Sequence, residues 1–341
     1  MSLLLVCLVA VLSLLFCGRA FAGCSYGGGQ SFTLTLPTTV SVPRDAPVGS
    51  LLTTWVASPA SSNLWTCSSS GGLLGAGVQV GPIVGASTGQ TYNSGGTFTV
   101  YKTNLPGVGI VLAGRSYTPN AGWYGWFSVY GGMAYSGVYA TWAMGAQVQV
   151  ALIKTGTISA GGTVSGGVVA QAFPNSDGPR YDLIASYVIT PVNVVPLTCT
   201  TPDVSIPMGT FKTTDFPSVG SLSPNPAGFA IQLLNCPGGT AVSGTQAGQI
   251  HSIQYRIDPT SGTLATNVAA LTGSPSASGV GIELFNSSGA VFPLSTNTTL
   301  SGYNSASGGS YSIPMTTRYY RTGTITAGPA NSTMTLTVSY Q

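Results

Sequence analysis

Apolar and polar residues alternate along most of the chain with a period of two. Segments 31–36, 97–101, 147–154, 181–190, 250–257 and 334–340 each alternate in this way, and Gly, Ser, Asn or Pro bounds each of them. That is the signature of short strands. No long stretch combines helical periodicity with few Gly or Pro, so the expected fold class is all-β, with strands spaced as in a sandwich or barrel. Within 147–154, Val148, Val150, Leu152 and Lys154 share one face and Gln147, Gln149, Ala151 and Ile153 the other, as in a central strand near its end. The Gly- and Ser-rich stretches 71–89 and 159–167 contain enough Leu, Val and Ile to read as mobile loops between strands rather than as disorder.

The final segment, 334–340, places Met334, Leu336, Val338 and Tyr340 on one face and Thr or Ser on the other, and the sequence stops one residue later. Nothing remains to cover this strand. It is expected to present an open apolar face and unpaired N–H and C=O groups, a hazard unless another chain pairs with it.

The first residues follow a different pattern. An apolar run over 2–16 leads through Cys17-Gly18-Arg19 to Ala20-Phe21-Ala22, a small-x-small site before Gly23. Residues 1–22 therefore read as a secretory signal cut after Ala22. The run is short for a membrane anchor. A rival reading takes 21–24 as a lipoprotein box, which would lipidate Cys24 and leave Cys67 unpaired. Cleavage leaves Cys24, Cys67, Cys199 and Cys236 in an oxidising compartment. Four cysteines allow three connectivities. Pairing Cys24 with Cys67 and Cys199 with Cys236 keeps each bridge local to one half of the chain, each worth about 4 kcal/mol in a loop-entropy account. Two domains are implied, with the boundary near 192–197.

Charge narrows the chemistry. The 341 residues include 10 Lys or Arg and 7 Asp or Glu, so 5% are charged. His251 and Glu283 are the single members of their types; both read as surface or strand residues. Multi-His metal sites, Ser-His-Asp triads and paired-Glu glycosidase centres have almost nothing to be built from. No enzyme activity, metal or cofactor is expected. The net charge of +3 is scattered rather than clustered, which argues against nucleic acid as a partner.

What remains is suited to binding. Segment 115–126 gathers Arg115, Tyr117, Asn120, Trp123, Tyr124 and Trp126, with Pro119, Asn120 and Gly122 marking a loop. Aromatic rings stack on the apolar face of a sugar while amides and carboxylates take its hydroxyls. Trp123 and Trp126 cannot face the same way on a regular strand, because three is an odd offset, so one of them is expected to be buried. Asp45, in the Pro-flanked pair Arg44-Asp45, and Asp177, in the turn Asn175-Ser176-Asp177-Gly178-Pro179, are the acidic candidates.

Cys199, Ile206-Pro207-Met208-Gly209-Thr210-Phe211, Phe229-Ala230-Ile231-Gln232-Leu233-Leu234-Asn235-Cys236, Gly279-Val280-Gly281-Ile282-Glu283-Leu284, Arg318-Tyr319-Tyr320, Ala327-Gly328-Pro329-Ala330-Asn331 and Tyr340 together resemble the pilin domain of the chaperone-usher fimbrial family. The resemblance implies an immunoglobulin-like sandwich lacking its last strand. It also implies that a periplasmic chaperone first fills the gap and that the amino-terminal extension of the next fimbrial subunit then replaces it, the donor-strand mode of pilins. By that resemblance Met334, Leu336, Val338 and Tyr340 pair with the incoming strand. Low charge gives the strand no charged gatekeepers of its own, so protection is expected from the chaperone.

The preceding half is similar in arrangement to the two-domain tip adhesins of the same type 1-like family. That likeness implies a lectin-like receptor-binding sandwich over 23–192, a linker over 193–198 and the pilin domain over 199–341. The implied protein is exported through the periplasm of a Gram-negative cell, assembled by an outer-membrane usher and carried at the fibre tip, with a carbohydrate receptor. Mannose-binding members line an amide-and-acid pocket just beyond the strand equivalent to 147–154 and start with Phe. Here those positions are Thr155, Gly156 and Thr157, and the mature start is Gly23, so the resemblance carries no mannose specificity. A tip subunit that binds protein or abiotic surfaces is the alternative. An exported glycosidase is weak on three Asp in the first domain.

Overall fold

The computed structural model describes residues 23–341 except Tyr130 and Pro275. The signal segment 1–22, with Cys7 and Cys17, lies outside the described residues. Among them the regular structure is strand apart from one 3₁₀ turn at Thr213–Asp215. The chain divides into two compact units. One takes the described residues up to Val40, then Val48–Gly156 and Gly162–Val194; the other takes Ser41–Pro47, Thr157–Gly161 and Val195–Gln341.

The first unit is built on a twelve-stranded sheet whose main path runs Ser31–Leu34, Ala185–Ile189, Gly167–Ser176, Ser61–Val80, Gly131–Lys154, Val108–Thr118, Thr97–Lys102, Ser87–Asn93. Its spine is the antiparallel pair Ser61–Val80 and Gly131–Lys154, registered from Gly131 opposite Val78 to Ala146 opposite Ser61. Cys24 lies opposite Cys67 on adjacent strands and bonds to it. Leu64, Leu74, Leu112, Val148, Val150 and Leu152 are all fully buried; burying one such side chain is worth about 1.5–3 kcal/mol. The opposite face of 147–154 is buried as well, because Ala151 and Ile153 pack with Leu51, Phe98, Val100, Val111 and Ala113 in a second cluster.

The stretch expected as a mobile loop, 71–89, is largely strand. Residues 71–80 continue Ser61–Val80, and 87–89 begin Ser87–Asn93. The glycines do not loosen this strand; they admit neighbours. A Cβ at Gly77 would fall 2.5 Å from the ring of Phe173, which lies over it. Likewise Gly162–Val164, inside 159–167, pairs with residues 192–194.

The second unit is a sandwich. A five-stranded sheet runs Ala227–Pro237, Gly308–Thr326, Ser278–Asn286, Val268–Ala269, Thr263–Ala265, and a three-stranded sheet runs Thr298–Thr299, Ile253–Pro259, Met334–Tyr340. Ile231, Leu233, Ile282, Leu284 and Met315 of the first sheet meet Ile253, Ile257, Val338 and Tyr340 of the second in one core, the packing of two sheets through their inner faces. Cys199 bonds to Cys236 at the margin of this core. Glu283, read from sequence as a surface or strand residue, is a strand residue and is buried.

Candidate functional site

Along Val108–Thr118 the face carrying Val111 and Ala113 is buried, and it opens at Arg115 and Tyr117. The chain turns at Pro119–Ala121, where the Ala121 amide donates to the Thr118 carbonyl at 3.3 Å, and returns antiparallel, with Trp123 opposite Tyr117. Phe127 then pairs with Gly114, whereas an unbroken register would place it opposite Ala113. One extra residue therefore lies between Trp123 and Phe127, a bulge. It reverses the side-chain alternation, so Trp123 and Trp126 point the same way. Both are half-buried, which corrects the expectation that one would be buried.

The two indoles share one cation. The guanidinium carbon of Arg115 lies 4.7 Å from the ring centroid of Trp123 and 4.8 Å from that of Trp126. Tyr117 extends the row, 5.5 Å from Trp123. Gln147 fixes the arginine: Arg115 Nε donates to Gln147 Oε1 at 2.7 Å, and Gln147 Nε2 donates to the Ser58 carbonyl at 2.6 Å. Partly open rings beside a cation whose remaining N–H donors find no partner among the described residues suit a ligand that offers apolar faces and hydroxyl acceptors.

Tyr124 belongs to another chain of rings, 6.4 Å from Tyr135, which is 5.8 Å from Trp142; its hydroxyl is buried with no hydrogen-bond partner among the described residues. Asn120 is exposed at the turn. Asp177 sits at φ 57°, the left-handed region. Its Oδ1 accepts from Ser69 Oγ at 3.2 Å and lies so close over Gly72 that a Cβ there would fall 1.4 Å away. Next to it, the ring of Tyr139 covers Gly71, with 2.5 Å left for a Cβ. Tyr139 is 81% exposed, the most open of the exposed large hydrophobic side chains. Of the residues singled out in sequence, the structure groups Tyr117, Trp123 and Trp126, and holds Asp177, Tyr124 and Asn120 apart from that group. Arg115 belongs to the segment 115–126 singled out in sequence and Tyr139 to the aromatic residues that follow it, whereas Gln147 and Ser69 are outside the sequence candidates. The signals for them were an amide in an apolar strand and a Gly-Gly pair facing a Tyr.

Asp45 lies in the second unit, against Met334–Tyr340. That strand pairs with Ile253–Pro259, from Ile253 opposite Tyr340 to Pro259 opposite Met334, and is the last strand of its sheet. Val338 and Tyr340 are buried, Met334 and Leu336 half-buried, all on the core side. Gln341 exchanges backbone hydrogen bonds with Ser252 at 2.8 and 2.9 Å. By the alternation of an antiparallel ladder, the backbone groups of Met334, Leu336, Val338 and Tyr340 then point to the outer edge. At Tyr340 they are taken. Its N–H donates to Asp45 Oδ2 and its carbonyl accepts from the Asp45 N–H, each at 3.0 Å. Arg44 donates from Nη2 to the Val338 carbonyl, forms a 2.8 Å ion pair with Asp45 and lies 5.0 Å over the Tyr340 ring. The hydrogen bond to Asp45 raises the Arg44 pKa above its ordinary value, and burial raises that of the Tyr340 phenol. Among the described residues no strand pairs with the outer edge of Met334 and Leu336, and no group of three His, Cys, Asp or Glu could hold a metal ion.

A family model described as Fimbrial protein matches residues 187–341. The chain is 32% identical over 141 residues to the type-1 fimbrial protein A chain of Escherichia coli (strain K12), an overlap covering 41% of this chain and 72% of that protein. It is 35% identical over 119 residues to the type-1 fimbrial protein C chain of Escherichia coli, covering 34% of this chain and 60% of that one. Among solved structures, the CupB6 tip adhesin from Pseudomonas aeruginosa is similar over 93% of this chain and 94% of its own, at 15% identity and a TM-score of 0.33.

Proposed function

The chain belongs to the fimbrial protein family, and from that premise we propose that it is a tip adhesin, exported to the surface of a Gram-negative cell and joined to its fibre by donor-strand complementation. Proteins of this family are structural, and this one is not an enzyme. The observation that carries the reading is the outer edge of Met334–Tyr340. There the backbone groups of Met334 and Leu336 point away from the sheet above a core fringed by half-buried Met208, Phe211, Phe229, Leu271 and Ile325. An added strand with alternating apolar residues would complete both the ladder and the core. A periplasmic chaperone would supply it first, an usher would exchange it, and the next subunit would supply it in the fibre.

The first unit, with its own disulfide and buried core, stands where an ordinary subunit of the family would carry a short donor extension, and this supports a place at the tip. We assign it receptor binding, with glycans as the ligand class, on the face formed by Arg115, Tyr117, Trp123 and Trp126. Leu73 and Met133, each 38% exposed, and Tyr139, 81% exposed, lie on neighbouring uncharged stretches of strand. This favours a second reading, attachment to protein or abiotic surfaces. The full chain, co-expressed with a chaperone of this pathway, is to be applied to a glycan array and to polystyrene. Glycan binding lost in Trp123→Ala and Trp126→Ala supports the first reading. Polystyrene binding lost in Leu73→Ser and Met133→Ser supports the second. Without a chaperone the full chain is expected to aggregate or be degraded, and a stable soluble monomer would refute the assembly claim.

A further inference from the structure

Asp45 occupies the place of one paired residue on the outer edge of the Met334–Tyr340 strand. Its main-chain N–H serves the Tyr340 carbonyl, but the returning bond from the Tyr340 N–H goes to its carboxylate rather than to a backbone carbonyl. The segment cannot extend this pairing into a ladder. Pro43 precedes and Pro47 follows the Arg44-Asp45-Ala46 tripeptide, and the Ala46 amide turns back to the Pro43 carbonyl at 3.2 Å. In place of a second paired residue, Arg44 uses its side chain on the Val338 carbonyl. Three hydrogen bonds to the Asp45 carboxylate, at 3.1, 3.1 and 2.8 Å, hold that arginine in place. Charged side chains and prolines at a strand edge are a recognised block to strand addition. Here they cover only the last residues. Val338 and Tyr340 beneath the block are 8% and 2% exposed, whereas Met334 and Leu336 beyond it are only half-buried.

We propose that Arg44 and Asp45 form a built-in stop for strand addition. An extended segment of a second fimbrial subunit pairs with the outward groups of Met334 and Leu336 and ends where Arg44 begins. The site for the added strand is thus shorter than the strand that receives it, and its register is set from within the same chain. This rests on the donor-strand reading above.

The test uses the full chain refolded from urea in the presence of one or other of two synthetic peptides of alternating Val and Thr, which take the chaperone's place. One of about nine residues would run past Tyr340, and one of about five would span only the open end. Affinity and backbone hydrogen exchange are read in the wild type, Asp45→Ala and Arg44→Ala. In the wild type both peptides are expected to slow exchange at Met334 and Leu336 and to bind equally, with no change at Tyr340. In Asp45→Ala the longer peptide is expected to bind about tenfold more tightly than the shorter, the worth of one or two backbone hydrogen bonds, and to protect the Tyr340 amide. Arg44→Ala, which removes the side-chain contacts to Val338, Tyr340 and Asp45 but leaves Asp45 itself in place to bond Tyr340, is expected to move the same way by a smaller factor and carries the test if Asp45→Ala does not refold. A wild type that already binds the longer peptide tenfold more tightly overturns the stop and leaves the donor-strand reading standing. So does a length dependence that neither variant alters. Absence of protection at Met334 and Leu336 with either peptide overturns both.

Discussion

Gln147 accepts the Nε–H of Arg115 at 2.7 Å and so fixes the guanidinium that both Trp123 and Trp126 pack against. Cation–π contacts of this kind contribute about 0.5–1 kcal/mol each at partly exposed sites, and losing the buried amide would leave the Ser58 carbonyl without its donor, at about 1–3 kcal/mol. Arg115→Ala and Gln147→Leu are each expected to lower stability by about 1–2 kcal/mol in urea unfolding. Both should shift tryptophan emission to the red as the indoles gain solvent. Arg115→Lys should not restore the emission, because an ammonium cannot keep the planar contact with two rings and the Gln147 bond at once. Unchanged emission in Arg115→Ala would sink the assignment.

Gly72 has room for a hydrogen and nothing more, since a methyl would fall 1.4 Å from Asp177 Oδ1. Gly72→Ala is therefore expected to expel the carboxylate, break its bond to Ser69 and lower stability by about 1–3 kcal/mol. Asp177→Asn should change stability little, because Asn also tolerates the left-handed conformation and its amide oxygen can accept from Ser69. Thermal unfolding of the two variants side by side is the check. Equal losses would mean that the charge of Asp177, rather than the close approach over Gly72, holds the turn.

Where side chains alternate locally, the fold was legible. Met334–Tyr340 and Gln147–Lys154 reveal their faces because period two maps directly onto inside and outside. The pairing of Cys24 with Cys67 and of Cys199 with Cys236 followed from keeping each bridge within its half of the chain. Two kinds of feature were hidden. The bulge between Trp123 and Phe127 adds a single residue that no residue type announces, and it reverses the parity on which the burial of one tryptophan was argued. The Met334–Tyr340 strand carries no charged gatekeepers of its own, as expected, but its edge is not bare. Arg44 and Asp45 guard it, with Asp45 separated from Tyr340 by 295 positions, and no local pattern reports a contact over that distance. The glycines of 71–80 misled for a third reason: a missing side chain can mark a loop or a strand on which a neighbouring ring or carboxylate rests.

Tyr187 is fully buried, stacked 5.3 Å from Phe32, and its hydroxyl has no hydrogen-bond partner among the described residues. Burial pushes its pKa well above the ordinary tyrosine range. Tyr187→Phe keeps the ring and removes the unsatisfied oxygen, so it is expected to stabilise the protein by about 0.5–1 kcal/mol. The native phenol holds its proton more tightly folded than unfolded. Its contribution is therefore intact below pH values near 10 and is lost as the unfolded chain ionises above that. The gain from Tyr187→Phe should accordingly widen in alkaline buffer. A variant that is less stable than wild type at neutral pH would show that the hydroxyl has a partner after all.

Glu283 lies in strand Ser278–Asn286, opposite Arg318 on one neighbour and Val268 on the other, and is 7% exposed. Among the described residues it makes no ion pair, and burial raises its pKa above the ordinary carboxylate value. The folded protein then binds this proton more tightly than the unfolded chain does. The stabilising term is fully present below the unfolded pKa and lost as pH rises through the folded one, so at neutral pH the ionised carboxylate opposes folding. Glu283→Gln keeps the shape and removes the charge. The variant is expected to match the wild type at about pH 4 and to exceed it in urea midpoint at about pH 7, with the difference opening across the interval between the two pKa values. A constant difference at both pH values would locate the effect in packing. A variant weaker than wild type at neutral pH would mean that Arg318, across the ladder, compensates the charge more than burial penalises it.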